Sequence, residues 1–278
     1  MLSVEANGAA IPAIGLGTWR LTGEGCIRSV QVALAAGCRH IDTASLYGNE
    51  AAVGEAIRSQ PVPRGEIFVT TKVWYSDAAD GPLQRSAEAS LRQLGLDWID
   101  LLLIHWPNPQ RPVEEQVRAL CDARRQGLAR HIGLSNFPVR ELEAAVAAAD
   151  APLVANQVEY HPYLDQRPVL EACRRHGLAL VAYVPLAHGR VARDPVLQEI
   201  GRAEGRSAAQ VALRWLVQQA SVCAIPGSSN PEHVRANMGV EDFALTAEEM
   251  AGIGSLARPD GRLVDPGWAP QWDEARAA

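Results

Sequence analysis

The 278-residue chain is 47% hydrophobic and 21% charged, which supplies ample apolar surface for a core and excludes a disordered chain. Its 26 Lys and Arg against 32 Asp and Glu leave a formal charge of −6, with no basic run long enough to track a phosphate backbone, so nucleic acid is excluded as a partner. Cys26, Cys38, Cys121, Cys173 and Cys223 are odd in number and form no C-x-x-C pair. They read as buried thiols of a reducing compartment, and no zinc or other metal site is expected.

The first residues, MLSVEANGAA, have neither a basic leader nor a long apolar segment, and no stretch reaches the ~18 apolar residues of a membrane span. A cytoplasmic protein with no membrane partner is the expectation. Residues 2–14 predict a hairpin turning at Asn7-Gly8, because that dipeptide accepts the positive φ angles of a two-residue turn. An alternation follows. Strands are expected at 13–18, 39–43, 67–73, 100–106, 130–135, 153–159, 179–185 and 222–226. Helical stretches at 26–36, 50–59, 83–94, 113–126, 140–148, 168–176, 194–203 and 208–219 fall between them, and 231–238 and 247–256 follow.

Strands such as LLLIHW and ALVAYV are nearly continuous apolar runs, as parallel strands buried on both faces should be. Eight such β/α units without a linker point to a single (β/α)8 TIM barrel over residues 1–278, carrying a short N-terminal hairpin. The tail at 262–273, RLVDPGWAPQWD, has two Trp and two Pro and little helical period, and is expected over a barrel mouth.

Active groups of such barrels lie at the carboxyl ends of strands. Asp42 closes the second expected strand, Tyr47 stands just beyond it, Lys72 closes the third and His105 the fourth. Singly, each has an ordinary reading: an Asp there caps or turns, a Tyr packs, a Lys reaches solvent. Jointly they make a proton-donating set. The Lys72 ammonium would lower the pKa of the Tyr47 phenol, Asp42 would hold Lys72 charged, and His105 would bond the oxygen that Tyr47 protonates. Trp19, Trp74 and Trp106, at or just past strand ends, would either form an aromatic wall around a substrate or plug the barrel mouth.

Proton donation alone reduces nothing, and no side chain is a hydride source. The later strand ends suit a cofactor: GLSN at 133–136 and Gln157 offer a hydroxyl and amides, and Tyr183 offers an aromatic face. IPGSSNPEH at 225–233 turns into a helix start, where unpaired amides attract a phosphate.

In order along nearly the whole chain, GLGTW at 15–19, IDTASLYGNE at 41–50, TTKVW at 70–74, DLLLIHWP at 100–107, GLSNF at 133–137, NQVEYHPY at 156–163 and IPGSSNPEHVRAN at 225–237 resemble the aldo-keto reductases, especially bacterial 2,5-diketo-D-gluconate reductases of the B type. The resemblance implies NADPH-dependent reduction of aldehydes and ketones, among them keto sugars and 2-oxoaldehydes such as methylglyoxal. Tyr47 would be the general acid, tuned by Lys72 and Asp42, with His105 orienting the carbonyl. Ser135, Asn136 and Gln157 would bind the nicotinamide carboxamide and Tyr183 would stack on its ring. Pro185 and Leu186 would lie along the pyrophosphate and Ser228 and Asn237 near the adenosine end, with Gly17, Thr18, Ile225, Gly227, Ser229 and His233 also binding the cofactor.

The chain departs from the family where Gly227 replaces a common Lys, His233 an Arg and Ala236 a Glu. Lys and Arg are natural partners of the NADP 2′-phosphate. Relaxed preference or shared use of NADH is therefore expected, with Arg235, Ser228 and Ser229 compensating. Two rival readings are a metal-dependent barrel hydrolase using His40 and Asp42, and a nucleotide-binding regulatory barrel without catalysis. Nothing in the sequence demands more than a monomer acting on a small carbonyl compound.

Overall fold

The computed structural model describes residues 2–273. An antiparallel hairpin, β1 (Ser3–Ala6) and β2 (Ala9–Pro12), is followed by eight parallel strands. These are β3 (Leu16–Gly17), β4 (His40–Asp42), β5 (Phe68–Val73), β6 (Ile99–Ile104), β7 (Ala129–Ser135), β8 (Leu153–Glu159), β9 (Ala179–Tyr183) and β10 (Val222–Ala224). Each pairs with the next, and the first meets the last through an Ile14–Ala224 bridge and a Gly17 N–H donated to the Pro226 carbonyl at 3.1 Å. The sheet is thereby closed into the expected barrel.

Helices α1 (Gly23–Ala35), α2 (Glu50–Arg58), α3 (Pro82–Leu94), α4 (Val113–Arg125), α5 (Val139–Ala148), α6 (Arg167–Arg175), α7 (Pro195–Glu204) and α8 (Ala208–Val217) fill the crossovers. Helices α9 (Pro231–Met238) and α10 (Ala247–Gly254) follow β10. The outermost strands are shorter than expected, and their joint is carried by the isolated Ile14–Ala224 bridge and a few backbone hydrogen bonds beside it. Capping follows local chemistry. Asp194 accepts from Val196 and Leu197 N–H at the start of α7, and Ser207 with Gln210 closes a reciprocal box on α8.

Strand alternation sorts the core. Leu101 and Leu103 of β6 point into the barrel, whereas Leu102 and Ile104 join the layer under the helices. The same period points Phe68, Thr70 and Lys72 of β5 inward. The hairpin turns at Asn7 and Gly8, both at positive φ, and its Ala6, Ala9 and Ile11 pack against Leu101, Val154 and Cys223, plugging the amino-terminal end of the barrel. Asn7 Nδ2 fastens the plug to the carbonyls of Leu153 at 2.7 Å and His176 at 2.9 Å.

Candidate active site

Lys72 is fully buried at the end of β5. Its Nζ lies 2.6 Å from Asp42 Oδ1 on β4, 2.9 Å from the Thr43 carbonyl and 3.3 Å from the Tyr47 hydroxyl. An ammonium has three N–H donors, so these three acceptors use all of them. Tyr47 sits on a single 3-10 turn over Ser45–Tyr47, held to β5 by the Ser45 hydroxyl donating to the Lys72 carbonyl at 2.9 Å. Because its oxygen accepts from Lys72, the phenolic proton is left to point elsewhere.

The pKa expectation for Tyr47 is overturned. Burial first, and the Asp42 carboxylate second, hold the phenol well above its ordinary value of 10.0. The physical reason is that Lys72 and Asp42 form a pair with no net charge, while loss of solvent penalises a phenolate outright. Tyr47 therefore remains protonated, as a proton donor must. Burial also lowers the Lys72 pKa, against the opposing pull of Asp42.

His105, following β6, faces Tyr47 edge-on with ring centroids 5.7 Å apart, and faces Trp74 at 5.3 Å. Burial, and then the Lys72 charge, hold it well below the ordinary histidine value, so its ring is neutral. Its Nδ1 is buried without a hydrogen-bond partner.

Tyr47 and His105 open onto a cleft of about 1360 Å³ that runs across the carboxyl ends of the strands. Trp19, Trp74 and Trp106 line one end, as expected. Asn136, Gln157, Tyr183, Pro185 and Leu186 follow, and Gly17, Ile225, Gly227, Ser228, Ser229, His233 and Asn237 line the remainder. Thr18 and Ser135 stand behind this surface: the Thr18 hydroxyl donates to the Asp42 carbonyl at 3.0 Å and the Ser135 hydroxyl to the Gln157 carbonyl at 2.9 Å. The Asn136 amide is also largely committed, donating to the His105 carbonyl at 3.0 Å and Ser135 Oγ at 3.1 Å while accepting from the Tyr183 hydroxyl at 2.8 Å. Arg235, expected to compensate at the phosphate end, is exposed on α9 and does not face the cleft.

The tail lies over the mouth. Trp268 packs on Trp74, Tyr75 and Trp106 with centroids 5.0–5.5 Å apart. Its anchor is Glu159, fully buried at the end of β8, whose carboxylate accepts from Leu263 N–H at 2.7 Å, Val264 N–H at 2.9 Å and His161 Nε2 at 2.9 Å. Tyr163 N–H donates to His161 Nδ1, which leaves the proton on Nε2. The sequence reading missed Glu159 and Trp268 as site residues, although the clustered tryptophans of the tail were a usable signal.

The metal-hydrolase reading has no support, since both His40 ring nitrogens have partners in the Pro12 carbonyl and Thr70 Oγ1. Among the described residues no group of three potential metal ligands comes together. Among the described residues no helix is long and apolar enough to cross a membrane.

A closed β/α barrel that gathers a Tyr and a buried Lys, Asp and His at one mouth, beside a cleft of about 1360 Å³, is the architecture of a carbonyl oxidoreductase. The chain belongs to the aldo/keto reductase family, whose model matches residues 13–258. It is 42% identical over 268 residues to methylglyoxal reductase DkgB of Escherichia coli O157:H7, covering 95% of this chain and 100% of that protein. A crystal structure given the provisional name 2,5-diketo-D-gluconic acid reductase B superposes with a TM-score of 0.96 at 49% identity over 98% of each chain. The Bombyx mori aldo-keto reductase, solved in complex with NADP, matches at a TM-score of 0.87 and 34% identity over 95% of each chain. The regulatory-barrel alternative finds no support among these relatives.

Proposed function

We propose that this aldo/keto reductase uses NADP(H) to reduce small uncharged aldehydes and ketones of the methylglyoxal type, with Tyr47 as proton donor. The observation that carries the reading is the saturation of Lys72, which leaves the Tyr47 proton free for a substrate oxygen. When bound, the nicotinamide supplies the hydride.

This chain's own groups fit that cofactor. The Tyr183 ring lines the cleft near Tyr47, and Gln157 faces the cleft with Nε2 spent on Asp42, leaving Oε1 to accept from a carboxamide. A carbonyl oxygen placed between Tyr47 and His105 receives a hydrogen bond from each. Tyr47 gives up its proton as the oxygen becomes an alkoxide, and the resulting phenolate stands against the Lys72 ammonium. Neutral His105 donates without carrying a competing charge.

Substrate choice follows from the mouth. Trp19, Leu46, Trp74, Trp106 and Trp268 surround the approach to Tyr47, and the tail adds the Asp265 carboxylate. That lining favours an uncharged carbonyl compound over a keto sugar acid such as 2,5-diketo-D-gluconate. The remaining reading is a single-domain monomer working in the cytoplasm, which light scattering on the purified protein tests for assembly.

Tyr47→Phe is the direct experiment. We expect kcat to fall at least a hundredfold, the usual scale of general acid catalysis, while NADP+ binding by fluorescence quenching is retained. A kcat within a few-fold of wild type would show that another group gives the proton. For the substrate class, kcat/KM should be higher for methylglyoxal than for 2,5-diketo-D-gluconate.

A further inference from the structure

Toward the end of the cleft that the family resemblance gives to the adenosine, Gly227, His233 and Ala236 stand where a Lys, an Arg and a Glu are common, and Gly227 lies in a tight joint. A Cβ on Gly227 would stand 2.8 Å from the Gly17 carbonyl oxygen, and one on Gly17 would stand 2.7 Å from the Ile225 oxygen. Here β3 and the segment after β10 meet backbone to backbone, so a side chain at position 227 requires one of the two segments to shift. With Arg235 turned away, the cleft needs positive charge from another element.

Two arginines bring it. Arg202 on α7 and Arg206 in the turn before α8 line the same cleft as Ser228, Ser229 and His233. Arg202 is exposed and forms no ion pair among the described residues. Arg206 is half-buried, with Nη2 donating to Asp242 Oδ2 at 2.8 Å, its guanidinium 5.1 Å from the Phe243 ring centroid, and Nε buried without a partner. The turn is firmly placed. Ser207 and Gln210 cap α8, and Gln210 Nε2 donates to the Ala236 carbonyl at 3.1 Å and the Gly239 carbonyl at 3.0 Å, fastening α8 to the end of α9. Ala236 leaves open the space that a longer acidic side chain would occupy and removes a negative charge from beside the turn.

We propose that Arg202 and Arg206 bind the ribose 2′-phosphate of NADP(H), so that this chain reads the phosphate from the α7–α8 turn. A phosphate monoester carries close to two negative charges at neutral pH and accepts several charge-assisted hydrogen bonds, which suits two guanidinium groups better than the lone His233. Asp242 orients Arg206 and leaves its other donors for the ligand. The consequence is a clear NADP preference despite Gly227 and His233, in place of the relaxed preference that the sequence suggested. The inference rests on the NADP(H) reading of the cleft.

The test is calorimetric titration of the purified protein with 2′,5′-ADP and with 5′-AMP, which differ at the phosphate in question and need no turnover. The wild-type protein should bind 2′,5′-ADP at least tenfold more tightly than 5′-AMP. Arg202→Gln and Arg206→Gln should each cut that ratio threefold or more, and the double variant should abolish it, with 5′-AMP affinity held within twofold. Arg235→Gln should leave the ratio unchanged. Should Arg206→Gln fail to fold because Asp242 loses its partner, Arg202→Gln, which breaks no ion pair, decides alone. Tight 2′,5′-ADP binding that ignores the arginine variants overturns this inference and leaves the cofactor reading standing, whereas failure of both nucleotides to bind the wild type overturns both.

Discussion

Gln157 Nε2 donates to Asp42 Oδ2 at 2.7 Å, taking the carboxylate oxygen that Lys72 leaves free. The two residues belong to β8 and β4, which are not neighbours in the sheet, so the bond spans the barrel interior. With both oxygens engaged, Asp42 holds Lys72 in place as well as balancing its charge. Gln157, which the family resemblance assigns to the nicotinamide, thereby also braces the Asp42–Lys72 pair beside Tyr47. A cofactor amide that bonds Gln157 therefore touches the same network.

The buried pair should cost more to break than to remove. Asp42→Asn leaves the Lys72 ammonium without its counter-charge, and Lys72→Met leaves the Asp42 carboxylate without its own. Each is expected to destabilise the fold by about 3–5 kcal/mol, and the double variant to recover much of that loss. Urea unfolding of the four proteins measures the cycle. Additive losses would mean that solvent reaches the pair.

The pH dependence of stability should carry the mark of His105. Its native pKa lies below the unfolded value of about 6.5, so below that pH the unfolded chain takes a proton that the native ring refuses. The stability is complete above pH ~6.5 and is lost as pH falls toward the native pKa, by up to about 1.4 kcal/mol per pH unit. Burial lowers His40 too, so the clean measurement is a difference: His105→Gln should flatten the acid slope of wild type by about one proton. Urea melts from pH 5 to pH 7.5 give the comparison, and identical slopes would contradict it. On the alkaline side, the raised Tyr47 value predicts no loss of reductive kcat from this group below about pH 10.

Glu159→Gln should loosen the tail without touching the acid site. The amide has one acceptor oxygen where the carboxylate has two, and its NH2 meets the N–H of Leu263 or Val264. Loss of such charge-assisted bonds is expected to weaken tail docking by about 1.5–3 kcal/mol. Hydrogen exchange at Leu263 and Val264 should quicken at least tenfold, and KM for the carbonyl substrate should rise more than kcat falls. Unchanged exchange would show that the Trp268 packing alone holds the tail.

Gly227→Ala should strain the seam, because its Cβ would stand 2.8 Å from the Gly17 carbonyl oxygen, close enough that one of the two backbones must shift. A loss of about 1–3 kcal/mol is expected from such overpacking. Gly65→Ala, with nothing within 4 Å of its Cβ, is the control. Thermal unfolding of the two variants separates the effects, and equal melting temperatures would refute the close approach.

The barrel, and the polar residues that it gathers at one mouth, were readable in the sequence because those residues break a pattern. Lys72 is a charge inside an apolar strand, and Asp42 and His105 fall where apolar runs stop. Glu159 also closes such a run, but its meaning depends on backbone N–H groups about a hundred positions downstream, which no local pattern announces. Arg235 and Arg206 look equally suitable as letters. Only the rotation of α9 and the fastening of α8 to it decide which one faces the cleft. The direction of the Tyr47 shift was misjudged for a related reason, since a neighbouring ammonium is visible in sequence whereas the depth of burial around it is not.

The seam between β3 and β10 has a consequence for folding. Gly17 comes from one side of that joint, and Ile225 and Gly227 come from the other, so the cofactor cleft exists only once the first and last strands have met. A bound dinucleotide then acts as a clasp on the ring. It favours the closed barrel over any form with the joint open by RT ln(1 + [L]/Kd), about 2.7 kcal/mol at a hundredfold excess over Kd, with its grip concentrated at the one place where the chain must join its own beginning.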